Sequence, residues 1–351
     1  MAKPNAPRLQ GGKADEAAIL DETEHQHAGL GRGVMWVWIP GTVLLAGLLI
    51  AVSRFAELEH FVELAARSDP RWLLVGVFAQ AITYVFAGGV WWLALRHACY
   101  PVSFLSLAPL GLAKLFADQA LPTGGASGAM LVTAGLRNRR VPLRIAFAAM
   151  MIGLLSYYSA SLVAASVSFF VLLIKHRMGG ALAAVFALFA LVTIIIPLFV
   201  IVMKVWGSAH IPAWISRVRA IRILLLELAE TPLAEVLTVQ LFLGTFLFQA
   251  AVFGLDALTL WSAFKAIGYD IDPLLAFTGL VAGSIGATIG VVPLGLGTFE
   301  GSAVGVLALL NVPVEPALTS VLLFRGLSFW LPMAPGLWFA RRELDPQDIR
   351  R

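Results

Sequence analysis

The stretch 291–305, VVPLGLGTFEGSAVG, decides how this chain is read. It closes an uncharged run from Pro273 to Phe299 and then sets one carboxylate, Glu300, among glycines. Pro293, Gly295 and Gly297 interrupt a helix, because proline lacks the N–H a helix needs and glycine loses the most backbone freedom on ordering. In lipid, a broken helix exposes N–H and C=O groups that no water can satisfy. Such breaks are tolerated only when buried in protein or lining a wet cavity. The stretch is therefore expected to be the tip of a helical hairpin turning inside a bundle.

The surroundings agree with a lipid setting. Of 351 residues, 59% are hydrophobic and 13% charged, and the mean hydropathy is +0.86. A soluble domain carries roughly a quarter charged residues. The run from Ile145 to Ile174 is uncharged and exceeds the about 20 residues that one bilayer crossing takes. The composition gives an all-α polytopic membrane protein. Six full spans are expected near 34–52, 71–95, 142–174, 178–204, 234–267 and 313–340. Two more apolar regions, 103–136 and 272–311, are broken in the middle by Pro and Gly and read as re-entrant helical hairpins. Residues 1–33 read as a disordered cytosolic tail, 34–341 as one transmembrane domain with repeat cores at about 103–174 and 272–340, and 342–351 as a second cytosolic tail.

The opening stretch has a counterpart. LPTGGASGAMLVTAGLRNRRVP (121–142) aligns without gaps on VPLGLGTFEGSAVGVLALLNVP (292–313) at a constant spacing of 171 residues, as from Pro122 to Pro293. Gly124 meets Gly295, Ser127 meets Thr298, Leu136 meets Leu307 and Pro142 meets Pro313. Charge then fixes sides, since cytoplasmic loops collect Lys and Arg. Arg96, the group Arg137, Arg139, Arg140 and Arg144, then Lys204, Arg217, Arg219 and Arg222, and lastly Arg341 and Arg342, are expected inside. Glu57, Glu59, Glu63 and Asp69, like Asp270 and Asp272, are expected outside, with the Lys175–Arg177 pair as an exception. On this assignment the first hairpin faces the cytoplasm and the second faces out, an inverted-topology repeat. Transporters commonly use that architecture, with a substrate site near the midplane where broken helices meet. The half-helix after each tip points its positive end at an anion, for which a lipid phosphate is the natural candidate. Two surface helices are expected as well. The segment 212–232 aligns Trp214, Val218, Ile221, Leu225 and Leu228 opposite its arginines, while 53–67 is acidic.

Ionisable residues inside a membrane zone are costly and mark candidate function. Glu300 follows the second break, and Arg325 lies about 12 residues into the last span. These two read either as an ion pair that locks the span to the hairpin or as a binding and gating pair. Asp118 ends the first arm of the first hairpin, one turn after Lys114. Asp256 reads as a hydrogen bond at a helix interface, to Gln249 or to a neighbouring span. Arg137, Arg139 and Arg140 read first as topology determinants, with headgroup phosphate contact as the alternative. Trp36, Trp38, Trp72, Trp91, Trp92, Trp330 and Trp338 read as interfacial belts. No catalytic set, phosphate-binding loop or dinucleotide fingerprint is found. With Cys99 alone there is no disulfide framework, no Cys/His group has metal-ligand spacing, and no cofactor is expected. The charge of +4 follows membrane orientation and does not suggest nucleic acid.

The order of ALPTGGASGAMLV…LRNRRVP, a basic surface helix, and VVPLGLGTFEGSAVGVLALLNVP…LLFRGLSFWLP resembles the lysylphosphatidylglycerol synthase transmembrane (flippase-like) family over roughly 34–341. That family includes the membrane half of the bacterial multiple peptide resistance factor. Pro293, Gly295, Gly297, Glu300 and Arg325 carry the match. The first motif departs from the family's pattern, with Gly128, Ala129 and Met130 where an acidic residue and an arginine are usual. The resemblance implies a multi-pass protein of the cytoplasmic (cell inner) membrane, with both termini cytoplasmic, that handles or translocates a polar or anionic lipid. A phospholipid and an isoprenoid or hopanoid lipid both remain open. With the chain ending at Arg351, lysine transfer is not expected. The substrate contacts expected on this reading are Glu300, Arg325, Asp118, Pro122, Gly124, Gly125, Ser127, Pro293, Gly295, Gly297, Thr298, Arg137, Arg139 and Arg140. Membrane lipids are the expected partners, with a second copy of the chain or lipid-synthesis enzymes open as further ones. A membrane-embedded headgroup-modifying enzyme and a scaffold for lipid synthesis are the alternatives.

Overall fold

The computed structural model describes residues 62–120, 126–206, 238–289 and 297–344. The expected span at 34–52, the basic helix at 212–232, most of the acidic helix at 53–67 and both hairpin tips lie outside these residues. Within them the ordered elements are helical, and residues 62–67 are helical too. In chain order they are α1 (Pro70–His97), α2 (Phe104–Ala120), α3 (Ala126–Asn138), α4 (Leu143–Ile174), α5 (Gly180–Trp206), α6 (Val239–Ala266), α7 (Pro273–Ile289), α8 (Thr298–Leu309) and α9 (Val314–Arg325). A π-helical segment (Gly326–Trp330) then joins α9 to α10 (Leu331–Leu344). Four of the described helices are long and apolar enough to cross a membrane: α1, α4, α6 and the continuous rod Val314–Glu343. The chain is a multi-pass membrane protein by this measure.

Local sequence explains the boundaries. Asp69 caps α1 by accepting from the Arg71 N–H, and Pro70 takes the first turn, where a missing N–H costs nothing. Thr238 caps α6 by accepting from Leu241 N–H. Pro142 and Pro313 precede α4 and α9 with nearly identical backbone angles, φ −58° in both and ψ 143° and 144°.

Helices α2 and α3 form an antiparallel hairpin. Arg139 donates to the Ser106 carbonyl near its open end, and Ser127 Oγ donates to the Ala117 carbonyl at 2.8 Å near its closed end. Helices α7 and α8 form a second one, in which Leu307 packs on Gly279 and Phe299 on Gly283. Their arms of 17 and 13, then 17 and 12, residues fall short of the roughly 20 that a full crossing takes.

The two hairpins share a frame larger than the motif that announces them. Trp92-Leu-Ala-Leu-Arg-His-Ala-Cys-Tyr100 corresponds to Trp261-Ser-Ala-Phe-Lys-Ala-Ile-Gly-Tyr269 at a spacing of 169 residues. Arg96 lies 5.2 Å from the Trp92 ring, and Lys265 lies 5.3 Å from the Trp261 ring. Cys99 and Gly268 both take positive φ, 62° and 78°, and Tyr100 and Tyr269 N–H groups close the two helices onto the Leu95 and Phe264 carbonyls. Farther along, the spacing is 171. Val141 N–H donates to Leu136 and Val312 N–H to Leu307, and Arg140 and Asn311 take φ of 60° and 66°. The cores match in the same way. One is built on Leu95, Leu107, Leu136, Val141 and Ala146, the other on Phe264, Ala276, Leu307, Val312 and Ala317. The change from 169 to 171 means the connection through the second tip is two residues longer than the first.

Between the halves, α1 and α6 run antiparallel in close contact. Asp69 N–H donates to the Ala266 carbonyl at one end, and His97 Nε2 lies 3.4 Å from Thr238 Oγ1 at the other. Glycines make the approach possible: a Cβ at Gly76 would fall 2.9 Å from Ser262 Oγ, and one at Gly89 would fall 2.7 Å from the Phe248 ring. Trp91 differs from its expected place at an interface. It is 6% exposed and belongs to the core of the first half.

Candidate functional site

Gly297 opens the site. Its φ of 75° is a left-handed conformation that suits glycine and lets the chain enter α8 sharply. Glu300, three residues on, folds back so that Oε2 accepts the Gly297 N–H at 2.7 Å. This is the glutamate side of a capping box, and it satisfies one of the orphan donors at a helix start. The other oxygen, Oε1, lies 2.8 Å from Nε of Arg325 in the last rod. Both side chains are largely buried, at 12% exposure for Glu300 and 15% for Arg325.

The guanidinium is also held by rings. Its centre lies 5.3 Å from the Phe299 ring and 4.8 Å from the Phe329 ring, and Phe299 stacks on Phe324 at 5.7 Å. A cation between aromatic faces in a dry setting is attracted by their quadrupoles. Immediately after Arg325 the rod winds as a π-helix, and the Leu331 N–H reaches back to the Gly326 carbonyl. Such single-turn widenings are rare and recur at functional sites. This one sits against α1: Tyr84 donates its hydroxyl to the Ser328 carbonyl at 3.1 Å.

The α1 face around Tyr84 continues into a second polar group. Gln80 Nε2 donates to Asp256 Oδ1 at 2.9 Å and to Thr259 Oγ1 at 3.1 Å, and Thr83 Oγ1 lies 3.5 Å from the same Asp256 oxygen. The partner of Asp256 is thus across the helix interface on α1, as one of the two sequence expectations had it, and it is Gln80. A polar thread runs from Asp256 on α6, through Gln80, Thr83 and Tyr84 on α1, to the π segment, Arg325, Glu300 and the first N–H of α8.

Thr298, the first residue of α8, has a buried hydroxyl with no hydrogen-bond partner among the described residues. Its carbonyl lies where a Cβ on Gly286 would be, at 2.8 Å, so α7 and α8 touch backbone to backbone there. Ser320 Oγ on α9 is likewise buried and without a partner.

At the other hairpin the expected residues separate. Ser127 is spent on the Ala117 carbonyl. Arg139 forms a two-pronged ion pair with Glu343, each N–O distance 2.7 Å, and also donates to the Gly135 and Ser106 carbonyls. Asn138 Nδ2 donates to the Glu343 backbone carbonyl. This lock binds the first hairpin to α10, which runs on through Leu344 rather than ending near residue 341. Arg137 and Arg140 are exposed. The Asp118 side chain lies outside the described residues, as do Pro122, Gly124, Gly125, Pro293 and Gly295. The structure thus brings together Gly297, Thr298, Glu300 and Arg325. Sequence reading missed Gln80, Tyr84, Phe299, Phe329 and Glu343. Gln80 carried a signal, since it stands 169 residues before Gln249, as Trp92 does before Trp261.

Among the described residues no group of His, Cys, Asp and Glu could hold a metal ion. No curated protein is significantly similar to the chain. The profile of the family described as Lysylphosphatidylglycerol synthase TM region matches residues 38–336, and the chain belongs to that family.

Proposed function

We propose that this protein is a membrane lipid translocase, which moves a polar or anionic lipid between the leaflets of the cytoplasmic membrane. The observation that carries the reading is the buried Glu300–Arg325 pair, set at the start of a short helix and at a π break in a long one. A buried pair is poor evidence for stability, because desolvation offsets its attraction. Its position at a helix N-terminus, inside a hairpin too short to span, suits a headgroup better than a rivet. Membership of a lipid-related membrane family supports the same reading.

On this reading the two hairpins are re-entrant, the halves are inverted across the membrane, and both termini are cytoplasmic. A headgroup phosphate meets the α8 N-terminus and competes with Glu300 for Arg325, so the pair opens and closes as the site changes sides. Arg137 and Arg140, exposed beside the first hairpin, gather anionic lipid at the inner face. The Arg139–Glu343 lock keeps the first hairpin and the last rod moving together.

The test is reconstitution into vesicles containing headgroup-labelled phosphatidylglycerol, with an impermeant quencher reporting outer-leaflet exposure. Parent protein is expected to accelerate exchange, and Glu300→Gln and Arg325→Ala to slow it while remaining folded. Both variants exchanging lipid at the parental rate would falsify the assignment. Lipid mass spectrometry of a deletion strain separates the alternatives. A missing or new lipid species points to headgroup chemistry, and unchanged species with altered leaflet distribution point to transport.

A further inference from the structure

We propose that Asp256 is a proton-binding site whose protonation drives the conformational cycle, so that lipid movement is coupled to a proton gradient; the coupling, though not the binding of the proton, rests on the translocase reading above. The argument is one of donors and acceptors. An ionised carboxylate has about four lone-pair positions to satisfy and accepts only. Asp256 has one firm donor, the neutral amide of Gln80 at 2.9 Å. The second amide hydrogen of Gln80 is given to Thr259 Oγ1. Thr83 stands near the carboxyl, but its hydroxyl has a single hydrogen, and the Ala79 carbonyl accepts it at 3.0 Å. Thr83 Oγ1 reaches the same Oδ1 only at 3.5 Å, with its one hydrogen shared with the Ala79 carbonyl, so it is a weak second donor, and no donor among the described residues reaches Oδ2. An ionised carboxylate is under-supplied here, whereas a protonated one, with its proton on Oδ2, still accepts from Gln80 at Oδ1 and has less to satisfy.

No positive charge stands in for the proton. Among the described residues no Lys, Arg or His pairs with Asp256, whereas Glu300 has Arg325. The groups facing it from the packed helices are neutral: Tyr84 of α1 and Tyr157 of α4 are the titratable side chains in electrostatic range. Tyr157 stacks on Phe253, one turn before Asp256. Helix α7 carries no charged residue, and on α9 Arg325 is committed to Glu300 while Glu315 lies in the first turn. Intramembrane carboxylates in such settings serve as proton relays in pumps and transporters.

The site is wired to the candidate lipid site through one helix. Gln80 and Thr83 meet Asp256, and the next residue, Tyr84, holds the π segment three residues beyond Arg325. Loss of the proton leaves an under-solvated charge between α1 and α6. Relief requires these two helices to shift or water to enter, and either displaces Tyr84 from Ser328.

Two measurements test this, and they fail separately. In the first, infrared difference spectra of the full chain in phosphatidylglycerol vesicles are recorded across a pH titration. Parent is expected to show a protonated-carboxyl carbonyl band that is lost as the pH is raised. Asp256→Asn, which keeps the oxygen for Gln80, is expected to lose that band, Glu300→Gln to retain it, and Asp256→Glu to restore it at a shifted frequency. A band that survives Asp256→Asn, or the absence of any titrating band, overturns proton binding. In the second, exchange of labelled phosphatidylglycerol is followed with and without a pH gradient. Parent is expected to respond to the gradient, and Asp256→Asn to lose the response. A parental response in Asp256→Asn overturns the coupling, whereas a parent that exchanges no lipid at all, with the band intact, overturns the translocase reading and the coupling together while leaving the proton site.

Discussion

Whether Glu300 and Arg325 form a rivet or a moving part can be decided by a double-mutant cycle. Glu300→Gln keeps an oxygen for the Gly297 N–H and removes the charge facing Arg325. The guanidinium, 15% exposed, then loses the carboxylate at 2.8 Å that faces it. Removing one partner of a buried pair costs about 3–5 kcal/mol, and the residual exposure puts this case near the lower end, at about 3. Arg325→Leu leaves the carboxylate at a helix N-terminus with its N–H donor, where the dipole returns up to about 1–2 kcal/mol, so the cost falls to about 2 kcal/mol. The double variant has no orphan charge. Apolar or neutral replacement of a whole buried pair is often close to neutral, so its cost should be about 1 kcal/mol or less. The two single costs sum to about 5 kcal/mol against about 1 for the double, so the coupling is about 4 kcal/mol. Unfolding in mixed micelles titrated with dodecyl sulfate, followed by tryptophan fluorescence, gives the four stabilities. If the single effects add to the double within about 0.5 kcal/mol, the pair does not exist as an energetic unit and the reasoning is wrong. The same four proteins in the vesicle assay answer the functional half. A double variant that is stable and inactive makes the pair a working part, and one that is stable and fully active makes it a rivet only.

Further expectations concern the frame. Glu343→Gln removes the charge facing Arg139 in the two-pronged lock, with both groups mostly buried, and is expected to lower stability by about 2–3 kcal/mol in the same unfolding assay. Gly336→Ala places a Cβ 2.9 Å from the Leu112 carbonyl and the Phe116 Cβ, and is expected to cost about 1–3 kcal/mol through overpacking. Gly301→Ala meets no described atom within 4 Å and, by helix propensity, is expected to be stabilising by up to about 1 kcal/mol. Tyr84→Phe loses only the hydroxyl on the Ser328 carbonyl, and is expected to cost about 0.5–1.5 kcal/mol with a larger effect on exchange rate than a distant variant of equal stability.

Much of this architecture is legible in the residues. Helix ends at Pro70, Pro142 and Pro313 are set by local chemistry, and the gap-free match of 121–142 on 292–313 shows itself because proline and glycine are distinctive. The second stretch of correspondence is harder to see. It keeps only a Trp, an Ala, a cation and a Tyr, and it lies at a different spacing, because two residues were gained through the second tip. The partner of Asp256 could not be read along its own helix. Gln249 is seven residues away, about 10 Å along the axis, too far for a direct bond. Gln80 is found only once α1 is known to lie antiparallel on α6. The π segment at 326–330 leaves no mark in composition, since it arises from the packing of Arg325 and Tyr84 around it. Glu343 resembled a tail residue because charge near a chain end usually faces water, and only the hairpin's arginine makes it part of the bundle.

The correspondence between halves includes the Arg96 and Lys265 cations but not Glu300, Arg325 or Asp256. Counted back through the matching positions, Glu300 falls on Ala129, Arg325 on Leu154 and Asp256 on Ala87. The two halves match in helix ends and core positions, yet all three of these ionisable groups stand in one of them, so the halves are alike in backbone and unlike in electrostatics. On the translocase proposal, that difference would let the half that carries Glu300, Arg325 and Asp256 set the resting state. Transplanting the pair, with Ala129→Glu and Leu154→Arg in place of the native charges, would ask whether the lipid exchange proposed above follows the backbone or these two side chains.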